Sequence, residues 1–295
     1  MRPYFEGWYF RHHHTDHTLC AIPGMHRSRA GGQAFIQLIT REASYHVPFD
    51  LSQYSARPEH AHVCIGNNYF DDTGMELHLD YQGLKVDGEL SYRGIQPLSH
   101  DIMGPFAHLP MQCKHGVYSM RHDLSGTLTF NGTPMCFDGG CGYVETDAGR
   151  SFPRAYAWTQ CNAFSSPSAV MAAVAHIPMP GFSFWGMLCA ATLGAREIVM
   201  ATYNGGKIVQ WLDNKLVLRR GGLELTVEVL GGEAKPLRAP QNGQMSRVIH
   251  ERAACTARYV LKELDKVLLD ETSDGAAFES VVPGRSVDSK FAVAP

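Results

Sequence analysis

The sequence predicts an all-β protein built from two similar antiparallel units in tandem. Short runs rich in Val, Ile, Tyr, Phe and Thr recur along the chain, and Gly, Pro, Asn and Asp separate them. A tight-turn signal, Asn131-Gly132, follows one such run. A Tyr-x-Glu pattern begins at Tyr4 and again at Tyr143, nearly half the chain later. This spacing is typical of a barrel or a sandwich, and two closed sheets would avoid bare edge strands.

The first half contains runs in which apolar and polar residues alternate, as in a half-buried strand. Residues 75–81 show this alternation most clearly, and a glycine at position 83 then turns the chain. The strands predicted in this half cover residues 34–39, 61–65, 75–81, 84–86, 88–92 and 126–130.

The second half continues the same pattern, with turns at Asn204-Gly205-Gly206 and Gly221-Gly222. Its predicted strands cover residues 168–177, 182–193, 197–203, 207–211, 215–219 and 223–230. The segment 245–269 fits either a helix or strands, because its apolar residues have loosely helical spacing. We expect a short helix from Met245 to about Arg252, followed by strands at 256–262, 266–270 and 277–282.

Length and composition limit the class of protein. A chain of 295 residues with 44% hydrophobic and 19% charged residues suits one large or two ordinary globular domains. We divide it into domains at 1–130 and 131–295. The net charge of −3 argues against a nucleic-acid partner. Because the sequence shows neither an apolar run of about 18 residues nor a secretory signal, we expect a cytoplasmic protein.

Cysteines and histidines give no metal-site pattern. The eight cysteines are scattered without a Cys-x-x-Cys pair, which favours buried free thiols over zinc ligands or disulfides. Histidines cluster at positions 12, 13, 14 and 17. Adjacent histidines on a strand point to opposite faces, so we expect an exposed polar loop there instead of a metal site. No glycine pattern for nucleotide phosphates occurs near Gly142 or Gly149.

The central stretch from residue 142 to 162 is the best candidate for a functional site. Glu145 and Asp147 lie two residues apart, so both face the same side of an extended strand. In the run that follows, every second residue carries an aromatic ring or an amide, namely Tyr156, Trp158, Gln160 and Asn162. Acids, rings and amides on one wall suit a pocket, whereas the alternative is an ordinary half-buried strand whose amides face solvent.

A loop rich in glycine, proline, histidine and methionine joins the two halves. It runs from Ser99 to Pro110 and leads to His115 and Tyr118. Its composition predicts a folded loop instead of a flexible linker. These side chains could line the mouth of a cavity or pack the seam between the halves, and the sequence favours neither.

Ordered pieces of the chain resemble the tocopherol cyclase family. The matching pieces are residues 4–10 (YFEGWYF), 21–24 (AIPG), 34–37 (AFIQ), 103–106 (MGPF), 115–120 (HGVYSM), 158–162 (WTQCN), 201–206 (ATYNGG) and 237–240 (LRAP). Singly these pieces are weak, but they span nearly the whole chain in order. The resemblance implies two tandem lipocalin-like antiparallel β-barrels, a fold shared with carotenoid hydratases. It also implies a cavity for a hydrophobic small molecule.

One motif departs from the family. Family members carry Glu-Lys-Asp/Asn-Trp-Gly where this chain has Glu145-Thr146-Asp147-Ala148-Gly149. Losing a large ring would open space in a pocket wall, and losing a lysine changes the charge near the acids. The change points to a substrate other than a tocopherol precursor, or to no substrate.

The resemblance implies a reaction that uses no cofactor, namely acid-catalysed cyclisation of a prenylated phenol or quinol, an isomerisation. Glu145 and Asp147 are the candidate acids and His115 a candidate base. The substrate-binding candidates are Tyr156, Trp158, Gln160, Asn162, Trp8, Phe106 and Tyr118. We expect neither a cofactor nor a metal. The alternatives are a non-catalytic isoprenoid or lipid carrier and another polyene reaction such as hydration. Transient membrane contact to collect the ligand and the oligomeric state both stay open.

Overall fold

The computed structural model describes residues 2–57 and 61–282, and it is built almost entirely from antiparallel strands. Short 3-10 helices lie at Leu51–Gln53, Gly104–His108 and Thr202–Asn204. No helix within these ranges combines the length and the apolarity that crossing a bilayer requires.

The first sheet contains strands from the first half of the chain. They are β1 (Tyr4–His13), β2 (Thr18–Ser28), β3 (Gly31–Thr40), β4 (Ser44–Phe49), β5 (Tyr54–Arg57), β6 (His62–Ile65), β7 (Asn68–Phe70), β8 (Gly74–Tyr81), β9 (Leu84–Arg93), β10 (Cys113–Phe130), β11 (Thr133–Cys136) and β12 (Cys141–Gly149). Their order is β4-β3-β2-β1-β12-β10-β9-β8-β7-β6-β5, and β11 pairs with β10 beside this path.

The second sheet contains the remaining strands. They are β13 (Tyr156–Cys161), β14 (Ser168–Met179), β15 (Phe182–Leu193), β16 (Arg196–Ala201), β17 (Lys207–Leu212), β18 (Lys215–Arg220), β19 (Leu223–Gly231), β20 (Lys235–Gln241), β21 (Gln244–Glu263) and β22 (Lys266–Val281). Their order is β16-β15-β14-β13-β22-β21-β19-β18-β17, and β20 pairs with β21 beside it.

The two sheets follow the same path. In each, the first four strands form a meander, and the first strand then pairs with the last strand. A hairpin strand also lies off the main path of both, β11 in the first sheet and β20 in the second. This repetition confirms the prediction of an all-β chain with two similar units, and the fold is double lipocalin-like.

Each sheet surrounds an apolar core with one of its faces. In the first sheet the core contains Phe10, Leu38 and Leu128 among other fully buried residues. In the second sheet the corresponding core contains Val170 and Leu218. Because side chains alternate across a strand, every second residue of these strands points away from the core. That outer face of each sheet carries most of the candidate site residues.

By packing, the chain forms two compact units that are not continuous in sequence. The first unit holds the described residues up to Ser99, then Cys113–Phe152 and Lys235–Ile249. The second unit holds His100–Gln112, Pro153–Ala234 and the described residues from His250 onward. The expected division into domains at 1–130 and 131–295 stays a prediction.

The predicted short helix at 245–252 is wrong, because this segment forms the start of strand β21. Buried and exposed residues alternate along the strand, so Val248 is 61% exposed while the adjacent Ile249 is buried. This alternation is the period of a strand and not of a helix. The strands expected at 266–270 and 277–282 are also one continuous strand, β22.

The histidine cluster is only partly the exposed loop that the sequence suggested. His12 and His13 are buried within β1, whereas His14 and His17 flank a turn that their backbone groups close. The ring of His12 lies 2.6 Å from the Tyr92 hydroxyl and 3.2 Å from the Leu19 carbonyl oxygen. The loop between the halves is folded, as expected, around the 3-10 helix at Gly104–His108.

Candidate functional site

Strand pairing brings His115, Glu145 and Asp147 together on the outer face of the first sheet. Asp147 on β12 pairs directly with His115 on β10, and Glu145 pairs with Val117 on β10 and with Tyr9 on β1. Directly paired residues point to the same face, so the two acids and the imidazole share one surface. The predicted combination of Glu145, Asp147 and His115 therefore forms a contiguous cluster, which we call the acid–histidine cluster.

The imidazole of His115 lies between the two acids. Its Nδ1 is 3.2 Å from Asp147 Oδ1, and its Nε2 is 3.6 Å from Glu145 Oε2. The Tyr143 hydroxyl donates a hydrogen bond of 2.5 Å to the same Glu145 oxygen. Tyr143 and Glu145 are two residues apart on β12, so the Tyr-x-Glu pattern seen in the sequence is a hydrogen-bonded pair. The distance between His115 and Asp147 is that of a hydrogen bond, so a proton can pass directly between these two groups.

The same pattern at the start of the chain is also a hydrogen-bonded pair. The Tyr4 hydroxyl donates to Glu6 Oε2 at 2.8 Å, and the Tyr54 hydroxyl donates to the other Glu6 oxygen. Burial and the Glu6 carboxylate raise the pKa of both tyrosines. In the sequence the pattern indicated only an echo between the halves, although a spacing of two residues along a strand also allows such a hydrogen bond.

Burial gives the acid–histidine cluster its electrostatic character. Glu145 is only 5% exposed, while His115 and Asp147 are half-buried. Burial, followed by the Glu145 carboxyl group, raises the pKa of Tyr143 well above its usual range, so its hydroxyl stays a donor. Burial and then Asp147 raise the pKa of the Cys113 thiol, which lies 3.5 Å from Asp147 Oδ1. A protonated thiol is a weak nucleophile, so Cys113 serves this cluster as a hydrogen-bond donor.

Two predicted binding residues of the first unit lie on the core side of the sheet instead. Trp8 alternates with Tyr9 along β1, and it packs in the apolar core with its ring centroid 4.9 Å from that of Tyr118. A β-bulge interrupts the pairing of β10 with β12 between Val117 and Ser119, and Tyr118 lies within it. Trp8 and Tyr118 thus meet each other, on the face opposite to Glu145.

The two positions that depart from the resembled family also face the core side. Thr146 pairs with Trp8, and Ala148 pairs with Glu6. The Thr146 hydroxyl donates to the Gly7 carbonyl oxygen at 3.0 Å. Residues 146 and 148 alternate with 145 and 147 across the strand, so a lysine or a large ring at these positions would lie on the face opposite to the acids. That the loss of the ring opens space in a pocket wall stays a prediction.

The second unit carries the predicted column of rings and amides on its own outer face. Tyr156, Trp158 and Gln160 share one face of β13, and all three are buried. The intervening Ala157 instead joins the apolar core of this unit. Asn162 is also buried, one residue beyond the end of the strand. The column therefore exists, and its role in binding stays a prediction.

A pair of buried glutamates, which were not among the predicted site residues, lies beside this column. Glu279 on β22 pairs directly with Trp158, and it accepts a hydrogen bond from the Tyr156 hydroxyl. Glu251 on β21 pairs with Glu279 from the other side, and both glutamates are almost fully buried. The one sequence signal for Glu251 is the alternation of buried and exposed residues along β21, and the predicted helix at 245–252 concealed it.

Phe106, the remaining predicted binding residue, lies in the 3-10 helix Gly104–His108 of the second unit. Its ring centroid is 5.6 Å from that of Phe184 and 5.6 Å from that of Tyr203. The Tyr203 hydroxyl donates to the Ile102 carbonyl oxygen at 3.0 Å and so fixes this loop.

The acid–histidine cluster also has the composition of a cation site. One ligand atom from each of His115, Glu145 and Asp147 lies within 4.8 Å of the others, and no second set of this kind occurs in residues 2–57 and 61–282. Carboxylate and imidazole ligands suit divalent transition metals. Without a metal, the His115 ring lies between the acids and contacts both of them. A bound ion would take the place of these two contacts.

Comparisons with known proteins give structural matches only. No family model and no curated protein matches the sequence. CghA with Sch210972 superposes with a TM-score of 0.60 at 12% identity, covering 96% of this chain and 90% of that one. Kievitone hydratase from Nectria haematococca gives 0.54 at 10% identity, with 95% and 88% covered. A protein from Nitrosomonas europaea provisionally assigned as AttH gives 0.56 at 9% identity, with 96% and 93% covered.

These matches extend over almost the whole of each chain, so the double lipocalin-like fold as a whole is shared. At such low identity they carry neither a substrate nor a residue role across, because one fold can host unrelated chemistries. Membership of the tocopherol cyclase family stays a prediction. The chain is thus similar in fold to these three proteins, and it carries an acid–histidine cluster on the outer face of the first sheet.

Proposed function

We propose that this protein catalyses acid-promoted cyclisation of a prenylated phenol or quinol, or of a similar hydrophobic isoprenoid, without a cofactor. The observation that carries the proposal is the imidazole of His115 between two acids, one of which is almost fully buried. Burial and a neighbouring carboxylate both favour a carboxyl group that keeps its proton, which is the form needed to protonate an alkene.

The reaction would proceed in two steps and return its proton. The Glu145–Asp147 pair, treated as one unit, gives its proton to the less substituted alkene carbon, and a tertiary carbocation forms. The phenolic oxygen attacks this cation, a C–O bond forms, and His115 takes the proton that the phenol releases. The proton then moves from the imidazole to the Glu145–Asp147 pair through the 3.2 Å hydrogen bond between His115 and Asp147, so the net reaction is an isomerisation.

Alkene hydration is the second candidate function. It needs the same protonation step, after which a water molecule attacks the cation in place of the phenol. One structural neighbour is named a hydratase, kievitone hydratase, and shares the fold over 95% of this chain. The acid–histidine cluster suits both reactions equally, so the nucleophile that the bound substrate presents would decide between them.

A non-catalytic carrier of an isoprenoid or lipid is the third candidate. Barrels of this type commonly enclose hydrophobic ligands, and a buried Tyr143–Glu145 pair can exist for structural reasons alone. Native mass spectrometry of the purified protein after lipid extraction separates the cases. A co-purified lipid without turnover of prenylated quinols favours the carrier.

The substitution Asp147→Asn tests the acid role. General acid catalysis contributes about 10²–10⁴ in rate, so this variant should turn over a prenylated hydroquinone at least about tenfold more slowly. Product formation is measured by liquid chromatography and mass spectrometry. The matched control is Asp123→Asn, because Asp123 lies on β10 with its side chain 72% exposed. An Asp147→Asn variant as fast as wild type would exclude Asp147 from proton transfer.

A further inference from the structure

An exposed aromatic tip projects from the second unit. The hairpin of β14 and β15 turns at Pro180-Gly181, where Gly181 has a φ of +84°. Phe182, directly after the turn, is 61% exposed, and its ring centroid lies 6.3 Å from that of Phe184 on the same strand. A large aromatic side chain this exposed buries little of its ring within the unit, so most of the ring is available to a surface outside the chain.

The loop that precedes β10 adds to this surface. The Phe106 ring packs against Phe184 at 5.6 Å, and the Leu109 N–H donates to the Phe106 carbonyl oxygen at 3.0 Å. Leu109 is itself 37% exposed. We call Phe182, Phe184, Phe106 and Leu109 the aromatic tip patch.

The aromatic tip patch belongs to chain segments without ionic side chains. Residues 155–195 contain no Asp, Glu, Lys or Arg, and neither do residues 102–113. The two apolar residues outside the patch with the largest exposed fractions differ in this respect. Leu264 is 76% exposed and lies between Glu263 and Asp265, and Val248 is 61% exposed and follows Arg247. The patch is therefore distinguished by the absence of charge as well as by its aromatic rings.

We propose that the aromatic tip patch docks on the surface of a lipid bilayer, with Phe182 inserted at the boundary of the acyl chains. Aromatic rings favour that depth, and a segment without charge meets no desolvation penalty for ionic groups there. A narrow hairpin tip also buries little area against another protein, whereas a stable protein–protein interface needs about 1,200–2,000 Å² in total. The surface thus suits a membrane better than a second folded chain.

Membrane docking would explain how the enzyme reaches its substrate, and this part of the inference rests on the proposed function. A prenylated quinol partitions into the bilayer, so an enzyme that acts on it must collect it from there. The attraction would be hydrophobic, and so binding should be insensitive to salt and should need no anionic lipid.

Vesicle binding tests the proposal. The wild-type protein should sediment with large unilamellar vesicles of phosphatidylcholine equally at low and high salt. The variant Phe182→Ser should lower the partition coefficient about tenfold, the factor expected when one inserted aromatic ring is lost. The matched control is Val248→Ser, because Val248 has the same exposed fraction of 61% and should bind as wild type does. Thermal unfolding of each variant shows that it is folded.

Three results would overturn the docking proposal. They are a wild-type protein that does not bind vesicles, equal binding by the Phe182→Ser variant, and binding that requires anionic lipid and disappears in salt. Dimerisation of the wild type in analytical ultracentrifugation that Phe182→Ser abolishes would assign the surface to a second copy instead. Turnover of a substrate dispersed in detergent is measured separately, so loss of the proposed reaction and loss of membrane docking are distinguishable.

Discussion

Each unit carries a buried tyrosine–glutamate pair on its outer face, and the two glutamates lie in equivalent strands. In the first unit Tyr143 donates to Glu145 on β12, and in the second Tyr156 donates to Glu279 on β22. Both β12 and β22 pair with the first strand of their sheet. The neighbouring strand then makes the difference, because β10 brings the imidazole of His115 to the pair and β21 brings a second glutamate, Glu251.

The group beside the buried glutamate distinguishes the two units. A buried glutamate occurs in both units. In the first unit an imidazole, which is a different kind of proton acceptor, lies beside it. A carboxyl group next to an imidazole can exchange protons near neutral pH, since the ordinary pKa of histidine lies in that range. Two facing glutamates can share a proton but have no such partner between them. We therefore expect catalysis to depend on the first unit more than on the second.

Low pH should destabilise the first unit more than the second, and this is the largest effect that we expect. His12, His13 and His122 are buried in the first unit, and burial lowers the pKa of each to about 3 from the ordinary 6.5. Between these values the unfolded chain binds more protons, so stability is complete above pH 6.5 and falls as the pH drops toward 3. From pH 6.5 to about 4.5 the loss is about fiftyfold in the folding equilibrium for each histidine.

Hydrogen-exchange mass spectrometry at pH 7 and about pH 4.5 measures this difference, after correction for intrinsic exchange rates. Peptides from β1 and β10 should lose protection at the lower pH, whereas peptides from β14 and β15 should keep it. Equal loss in both units would show that the buried histidines do not control acid stability.

Exchanging the glutamates tests the difference in chemistry directly. Glu145→Gln should lower kcat by about 10²–10⁴ because it removes an acid from the acid–histidine cluster. Glu279→Gln, its counterpart in the second unit, should change kcat by about threefold or less. Rates with a prenylated hydroquinone are compared at saturating substrate. If Glu279→Gln were the more damaging substitution, the assignment of catalysis to the first unit would be wrong.

The two tyrosines give the smallest and most selective test. Tyr143→Phe and Tyr156→Phe each remove one buried hydrogen bond to a glutamate, which costs about 1–3 kcal/mol of stability in either unit. Only Tyr143→Phe should also lower kcat, by about tenfold, because Glu145 loses the donor that positions it. Chemical unfolding and steady-state kinetics on both variants separate the effects. A similar fall in kcat for Tyr156→Phe would remove the distinction between the units.

Much of the fold could be predicted because it depends on local alternation. The run at 75–81 carries the period of two residues and lies in β8, whereas the run at 34–39 is a short apolar stretch whose residues are all buried in β3. The segment 245–252 misled because Val248 and Ile249 are adjacent apolar residues, which fit a helix as well as a strand. Nothing local shows that one is exposed and the other faces the core of a sheet.

The site was predictable only as far as it is local. Glu145 and Asp147 share a strand face by spacing alone, and the resemblance added His115. The pairing of Glu251 with Glu279 depends on the register of two long strands with several bulges, which no local pattern specifies. His12 was likewise predicted to lie in a loop. Its burial depends on a partner, Tyr92, that is distant in sequence and that no local pattern indicates.

The discontinuous first unit has a consequence for synthesis of the chain. Its hairpin segment, Lys235–Ile249, emerges from the ribosome only after most of the second unit has been translated. Gln37 exchanges two hydrogen bonds with the backbone of Arg238 in this segment, and the Ser151 hydroxyl accepts one from the Asn242 N–H. A nascent fragment ending near residue 152 would lack these partners, so the earliest-made part of the molecule is among the last to be completed.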